Sequence, residues 1–180
     1  MTNNHKQVEY FVAKAQIRDA IERLARGEDR RDAILIGSAY WPDSVTDYGV
    51  FSGSFAEYLD WVVPGSPALP VTQHLLGQSY TVVTDDLQSA RVETQVFSYH
   101  RVDHGEQHQD TCIGGRYLDQ FECREGDWRI LSRLMVYDWY QDLGEAIDWA
   151  QGLMGQTLSS PQFIGSAADD VSRRFFQETD

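Results

Sequence analysis

Apolar residues return at Ile17, Ala20, Ile21 and Leu24, with Arg18, Asp19, Glu22 and Arg23 between them. Steps of three and four put one set on a single helical face, which predicts a first helix over about residues 8–26. Gly27 follows as a natural C′ residue. After the charged run Glu28-Asp29-Arg30-Arg31-Asp32, the apolar positions of 33–36 predict a short second helix. Tyr40-Trp41-Pro42-Asp43 breaks it, and Asp47-Tyr48-Gly49-Val50-Phe51 reads as a short strand with its turn. Ser54 followed by Glu57 fits a capping box, with Phe55, Tyr58, Leu59 and Val62 on one face behind it. Pro64, Gly65 and Pro67 end that third helix.

Period two then replaces the helical period. From Ser79 the composition is β-like through Thr84, with a turn at Asp85-Asp86. Over 90–100 the even positions are Ala90, Val92, Thr94, Val96, Ser98 and His100, and alternation turns them toward the core. A polar loop over 101–110 carries His104 and His108. A long strand over 112–124 and a partner over 128–139 are joined by the hairpin Glu125-Gly126-Asp127. On the first, Ile113, Gly115, Tyr117, Asp119 and Phe121 share a face. On the second, Arg133 shares one with Leu131, Met135 and Tyr137. A carboxylate among core residues needs a partner, which predicts an Asp119–Arg133 or Asp119–Arg116 pair. Helical spacing returns over 145–154, a loop follows over 155–165, and Ser166 is placed to cap a last helix ending near Phe176. Helices followed by long antiparallel strands make an α+β plan. A single domain over 1–154 is expected, with 155–180 as a lid or interface segment.

Composition narrows the function. In 180 residues, 42% are hydrophobic and 12% aromatic, enough for one packed core. A net charge of −13 argues against nucleic acid and against an anionic membrane surface. Cys112 and Cys123 lack both disulfide-framework and metal-ligand spacing, and read as small residues of one strand region. No apolar run reaches the length of a membrane span, and the chain is expected to be soluble and cytoplasmic. His104 and His108, with Asp103 and Asp110, read as a solvated hairpin loop rather than a metal cluster.

The stretch Thr72-Gln73-His74-Leu75-Leu76-Gly77 carries a histidine that is either a packed residue or a working base. This stretch, Gly114-Gly115-Arg116-Tyr117 and Glu125-Gly126-Asp127-Trp128-Arg129, in that order and spacing, resemble the SnoaL-like branch of the nuclear transport factor 2-like superfamily. Scytalone dehydratase, a bile acid dehydratase and hexachlorocyclohexane dehydrochlorinase belong near it. The resemblance covers about residues 16–139. It implies a cone-shaped α+β barrel in which a curved sheet encloses a pocket closed by helices. It also implies a homo-oligomer, dimer or trimer.

The same resemblance places the catalytic aspartate on Asp29 and the catalytic histidine on His74. A second pocket histidine falls on His100, and one of two water-holding tyrosines on Tyr48. Two positions depart from scytalone dehydratase: its other tyrosine is Glu28 here, and a pocket asparagine is Tyr117. With Asp29 on its other ring nitrogen, His74 could take a proton from a carbon beside a carbonyl, with no cofactor and no metal. Tyr48 and His100 would assist. Tyr40, Tyr117, Asp119 and Arg133 are the candidate substrate-binding residues. The resemblance implies a lyase of dehydratase type acting on a small, hydrophobic, cyclic hydroxylated substrate. An isomerase or cyclase would need the same base. The rival is a non-catalytic ligand-binding or oligomer-forming member, in which Asp29 does not reach His74 or Trp41, Trp61 and Tyr117 fill the pocket.

Overall fold

The computed structural model describes residues 2–148, 151–157 and 170–177. Helix α1 spans Thr2–Arg30 and leads at once into α2, Ala33–Ala39. The inner face of α1 buries Ala13, Ile17, Ala20, Ile21 and Leu24, and the same spacing carries on to a buried Glu28. The helix therefore runs through Gly27 rather than stopping there. Packing explains the difference: a Cβ on Gly27 would lie 2.7 Å from Ile36 Cγ1, so only glycine lets α2 fold back so closely. Asp32 caps α2 by accepting from the N–H groups of Ile34 and Leu35.

Helix α2 ends at Ala39, where Tyr40-Trp41-Pro42-Asp43 was expected to break it, and Tyr40 opens strand β1, Tyr40–Asp47, ahead of the short strand expected over 47–51. Residues 48–51 make the turn into β2, Ser52–Ser54, with the Tyr48 N–H donating to the Phe51 carbonyl. Helix α3, Phe55–Val62, starts on the expected Ser54–Glu57 capping box.

Four long strands follow: β3 (Val71–Val83), β4 (Ser89–Asp103), β5 (His108–Arg124) and β6 (Asp127–Glu145). They join β1 and β2 in one six-stranded sheet of order β2-β1-β6-β5-β4-β3. Neighbours are antiparallel except β1 beside β6, which run parallel. The sheet is curved and unclosed, the α+β cone that the sequence led one to expect. Register shifts at Gly114/Gly115 and Gln120/Phe121 bend its longest ladder. The second shift resets the phase of β6. Trp128 and Ile130 point inward, then Arg133 and Met135, with Leu131 as the extra residue. Leu131 therefore does not share a face with Arg133 as unbroken alternation predicted. On β4 the predicted even set from Ala90 to Ser98 is buried.

Two further expectations change. β3 begins at Val71, so His74 stands within an edge strand and not on the approach to one. β6 extends to Glu145, paired with Gln109, where a helix was expected over 145–154. Because β5 already begins at His108, its free edge pairs β6 past the expected end at Trp139, and the described residues of 146–154 form no α-helix. Beyond it, Leu153 and Gln156 form an isolated bridge. Helix α4, Ser172–Gln177, lies against α1, where Arg26 donates to Ser172 Oγ and Arg30 meets Asp170 at 2.6 Å. The proposed cap at Ser166 lies outside the described residues. Cys112 and Cys123 are both on β5, as expected. Among the described residues, no helix is long and apolar enough to cross a membrane.

Candidate functional site

The last turn of α1 delivers two adjacent carboxylates to the edge of the sheet. Asp29 faces β3, whose edge position leaves a backbone N–H open to it. The His74 N–H donates to Asp29 Oδ2 at 2.9 Å, and His74 Nδ1 lies 2.7 Å from Oδ1. Thr72 Oγ1 adds a donor to Oδ1 at 3.3 Å. A carboxylate holding both the backbone and the ring of one histidine fixes where that ring points. With Nδ1 against Asp29, Nε2 is the free ring nitrogen.

Glu28, on the neighbouring helical position, approaches that second nitrogen. Its Oε2 is 3.8 Å from His74 Nε2. Its Oε1 accepts from the hydroxyls of Tyr48, at 3.0 Å, and Tyr58, whose contact is shorter. Those two rings stack with centroids 5.5 Å apart. Burial and then the Glu28 charge push both phenols well above their usual pKa, so they stay protonated as donors. Burial works against charge on His74, but the Asp29 hydrogen bond and the charges of Glu28 and Asp29 outweigh it and raise its pKa.

His100 stands edge-on to His74, ring centroids 6.1 Å apart. Burial, followed by the proximity of His74, pushes it down to about 4, so it is neutral near pH 7. Its Nδ1 is buried without a hydrogen-bond partner among the described residues.

These groups open on a cavity of about 430 Å³ between the helices and the inner face of the sheet. Its walls are mostly apolar and aromatic, including Trp61, Val102, Ile113, Met135 and Tyr140, a composition suited to a small hydrophobic ligand. Of the residues singled out in the sequence, Tyr48, His74, His100 and Tyr117 line this cavity, and Asp29 stands behind His74. Tyr40, Asp119 and Arg133 lie in the core below it. Arg133 donates to both Asp119 oxygens, at 2.7 and 2.8 Å, and its guanidinium lies 3.8 Å from the Tyr117 ring centroid. Burial opposes charge on Arg133, but Asp119 holds it ionised. Arg116, the alternative partner, instead pairs with Asp138 and Glu93. Tyr40 is fully buried and stacks on Phe55. Trp61 sits on the cavity wall, whereas Trp41 packs under Arg124 and Arg129.

Glu28, Tyr58, Thr72 and Arg31 also reach the site and were not singled out as site residues. For Glu28 the signal was present, since it continues the Ile17–Ile21–Leu24 face by one more step of four. The resemblance also put it at a pocket position, where it stands in place of a water-holding tyrosine. Arg31 donates to the Val62 and Leu69 carbonyls at the cavity wall, and burial lowers its pKa despite Glu28 and Asp29. His104 and His108 are engaged with Gln109 and Asp103 in the β4–β5 hairpin.

The profile of the SnoaL-like domain matches residues 10–134. None of the curated proteins matches the chain. Among solved structures, a hexachlorocyclohexane dehydrochlorinase (LinA type 2) superposes with a TM-score of 0.68 at 18% identity, covering 87% of this chain and 99% of its own. A scytalone dehydratase-like protein from Novosphingobium aromaticivorans gives 0.64 at 16% identity, covering 76% and 91%. A Mycobacterium tuberculosis protein of unknown function gives 0.60 at 15%, covering 72% and 74%. At these identities the likeness is one of fold.

Proposed function

We propose that this chain, which belongs to the SnoaL-like domain family, is a cofactor-free lyase carrying out a dehydratase-type elimination. The substrate class is a small cyclic hydroxylated molecule of polyketide or steroid type. One observation carries the reading: His74 is fixed through Nδ1 by Asp29 while its other nitrogen faces a largely apolar cavity. In that arrangement His74 is the general base. Its Nε2 takes a proton from the carbon beside a substrate carbonyl, and Asp29 stabilises the imidazolium that forms. The hydroxyl on the next carbon then departs. Tyr117 forms part of the substrate wall, held from beneath by Arg133 and Asp119 and backed by the core around Tyr40. His100, neutral and with an unpartnered nitrogen, is suited to orient a substrate hydroxyl.

Two features favour an enzyme over a binding protein: the Asp29–His74 contact is made, and Trp61 and Tyr117 border open space. The assembly is proposed to be a homo-oligomer. Leu75, Phe97 and Trp139 form an exposed apolar row across the outer face of the sheet. Rows of this kind mark contact surfaces.

The test is turnover of a panel of cyclic β-hydroxy ketones by wild type and His74→Ala. Loss of roughly 10²–10⁴-fold is expected for removal of a general base. Elimination at the full rate in the variant would refute the assignment.

A further inference from the structure

Eliminating water needs an acid as well as a base, because hydroxide is a poor leaving group. His100 is held neutral near pH 7, and the Tyr48 hydroxyl is already engaged with Glu28. Glu28 remains. It is nearly fully buried, yet it lines the cavity. A carboxylate in such surroundings is expensive unless its oxygens are paired. Here the pairing is one-sided. Both tyrosine hydroxyls go to Oε1, while Oε2 faces His74 Nε2 at 3.8 Å, beyond direct hydrogen-bond range. The gap lies between the two groups that a reacting substrate would meet.

We propose that Glu28 is the general acid of the site and shares a single proton with His74. This rests on the lyase reading above and supplies the half of the reaction that the Asp29–His74 pair leaves unassigned. Two carboxylates flank one imidazole. One proton on the His74–Glu28 pair gives either imidazolium with carboxylate or neutral imidazole with carboxylic acid, at the same net charge. The second form is the reactive one. His74 Nε2 takes the proton from carbon, and the C–H electron pair becomes the new C=C bond. The C–O bond breaks, and the departing oxygen takes the proton from Glu28 Oε2, leaving as water. The Tyr48 and Tyr58 hydroxyls stabilise the carboxylate left on Glu28. The proton on His74 Nε2 then returns to Glu28 through the released water, and both groups are restored. Substrate becomes alkene and water, with no other reactant.

The distinguishing variable is the leaving group. Chloride departs without a proton, whereas hydroxide does not. A β-hydroxy-α-tetralone and its β-chloro counterpart would be compared, with the uncatalysed rates subtracted, using wild type and Glu28→Gln. Glutamine keeps the size and an oxygen for the tyrosines but cannot transfer the proton. Glu28→Gln is expected to lower kcat for the hydroxy compound by about 100-fold or more, a loss at least about tenfold larger than the one it causes on the chloro compound. Exchange of the acidic carbon-bound hydrogen in D₂O, which needs only His74, should persist in Glu28→Gln and reports that the variant is folded. Equal loss on both compounds, or loss on neither, overturns the role of Glu28 while the lyase reading stands. If wild type neither eliminates nor exchanges either compound, the lyase reading falls, and the acid with it.

Discussion

Asp119 and Arg133 meet at the bottom of the cavity with side chains only 0% and 1% exposed. Replacing Asp119 by Leu leaves a guanidinium in the core with its fork of donors unsatisfied. Removing one member of a buried pair costs about 3–5 kcal/mol, most of it the penalty of the charge left behind. At about 2–4 °C per kcal/mol for a chain of this size, the melting temperature should fall by about 6–20 °C. Part of the stranded charge is eased by the Tyr117 face, 3.8 Å from the guanidinium, so the lower half of that range is favoured. The double variant Asp119→Leu/Arg133→Met removes both charges and fills the space with apolar atoms. It should be more stable than Asp119→Leu alone. Urea and thermal unfolding of wild type, both single variants and the double variant give the coupling energy. A loss below about 1 kcal/mol in the single variant, or a double variant equal to the sum of the two, would refute the account of a mutually dependent buried pair. Turnover measured on the folded fraction of Arg133→Met then separates support of Tyr117 from any direct part in chemistry.

His100 makes stability depend on pH. Its folded pKa, about 4, lies below the unfolded value of about 6.5, so the unfolded chain binds the proton first as pH falls, and stability is lost from pH 6.5 down to 4. Near pH 5 the loss is about 2 kcal/mol, and His100→Gln should flatten that part of the urea-derived profile relative to wild type; an unchanged difference curve would sink the assignment. His74 runs the other way, its raised pKa adding stability at low pH that is lost as pH rises through the folded value. For the outer face, Phe97→Glu should shift an oligomer toward monomer in sedimentation equilibrium without unfolding it, since Phe97 is 41% exposed in the single chain. A wild type that sediments as a monomer would remove that surface from consideration.

Sequence patterns carried well wherever one period held. The even face of β4 came through as buried, and the capping box at Ser54 formed as its residues require. The Asp119–Arg133 pair was legible because a carboxylate on an otherwise apolar face must be neutralised by something on the next strand. What failed was decided by partners distant in sequence. Strand β6 ran past its expected end at Trp139 because β5 offered an unpaired edge as far as Gln109. The bulge at Leu131 has no local signature, since it comes from bending the ladder. At the site, Asp29 and His74 came from resemblance and not from spacing. No periodicity could place a residue at the end of one helix beside a residue 45 positions later on an edge strand.

Reading Gly27 as a stop left Glu28 outside the first helix, which in fact runs to Arg30. Glycine after an amphipathic run is as compatible with a close crossing as with a C-cap, and only the position of Ile36 separates the two. The consequence reaches the chemistry. Because α1 continues past Gly27, Glu28 lies four residues beyond Leu24 and Asp29 four beyond Ala25, both continuing its buried side. One further turn of an ordinary core-forming helix therefore places one carboxylate on His74 Nδ1 and a second 3.8 Å from Nε2. A side chain at Gly27 would push on Ile36 and shift that turn, so the tight α1–α2 crossing and the spacing of the Asp29–His74–Glu28 row are one structural constraint.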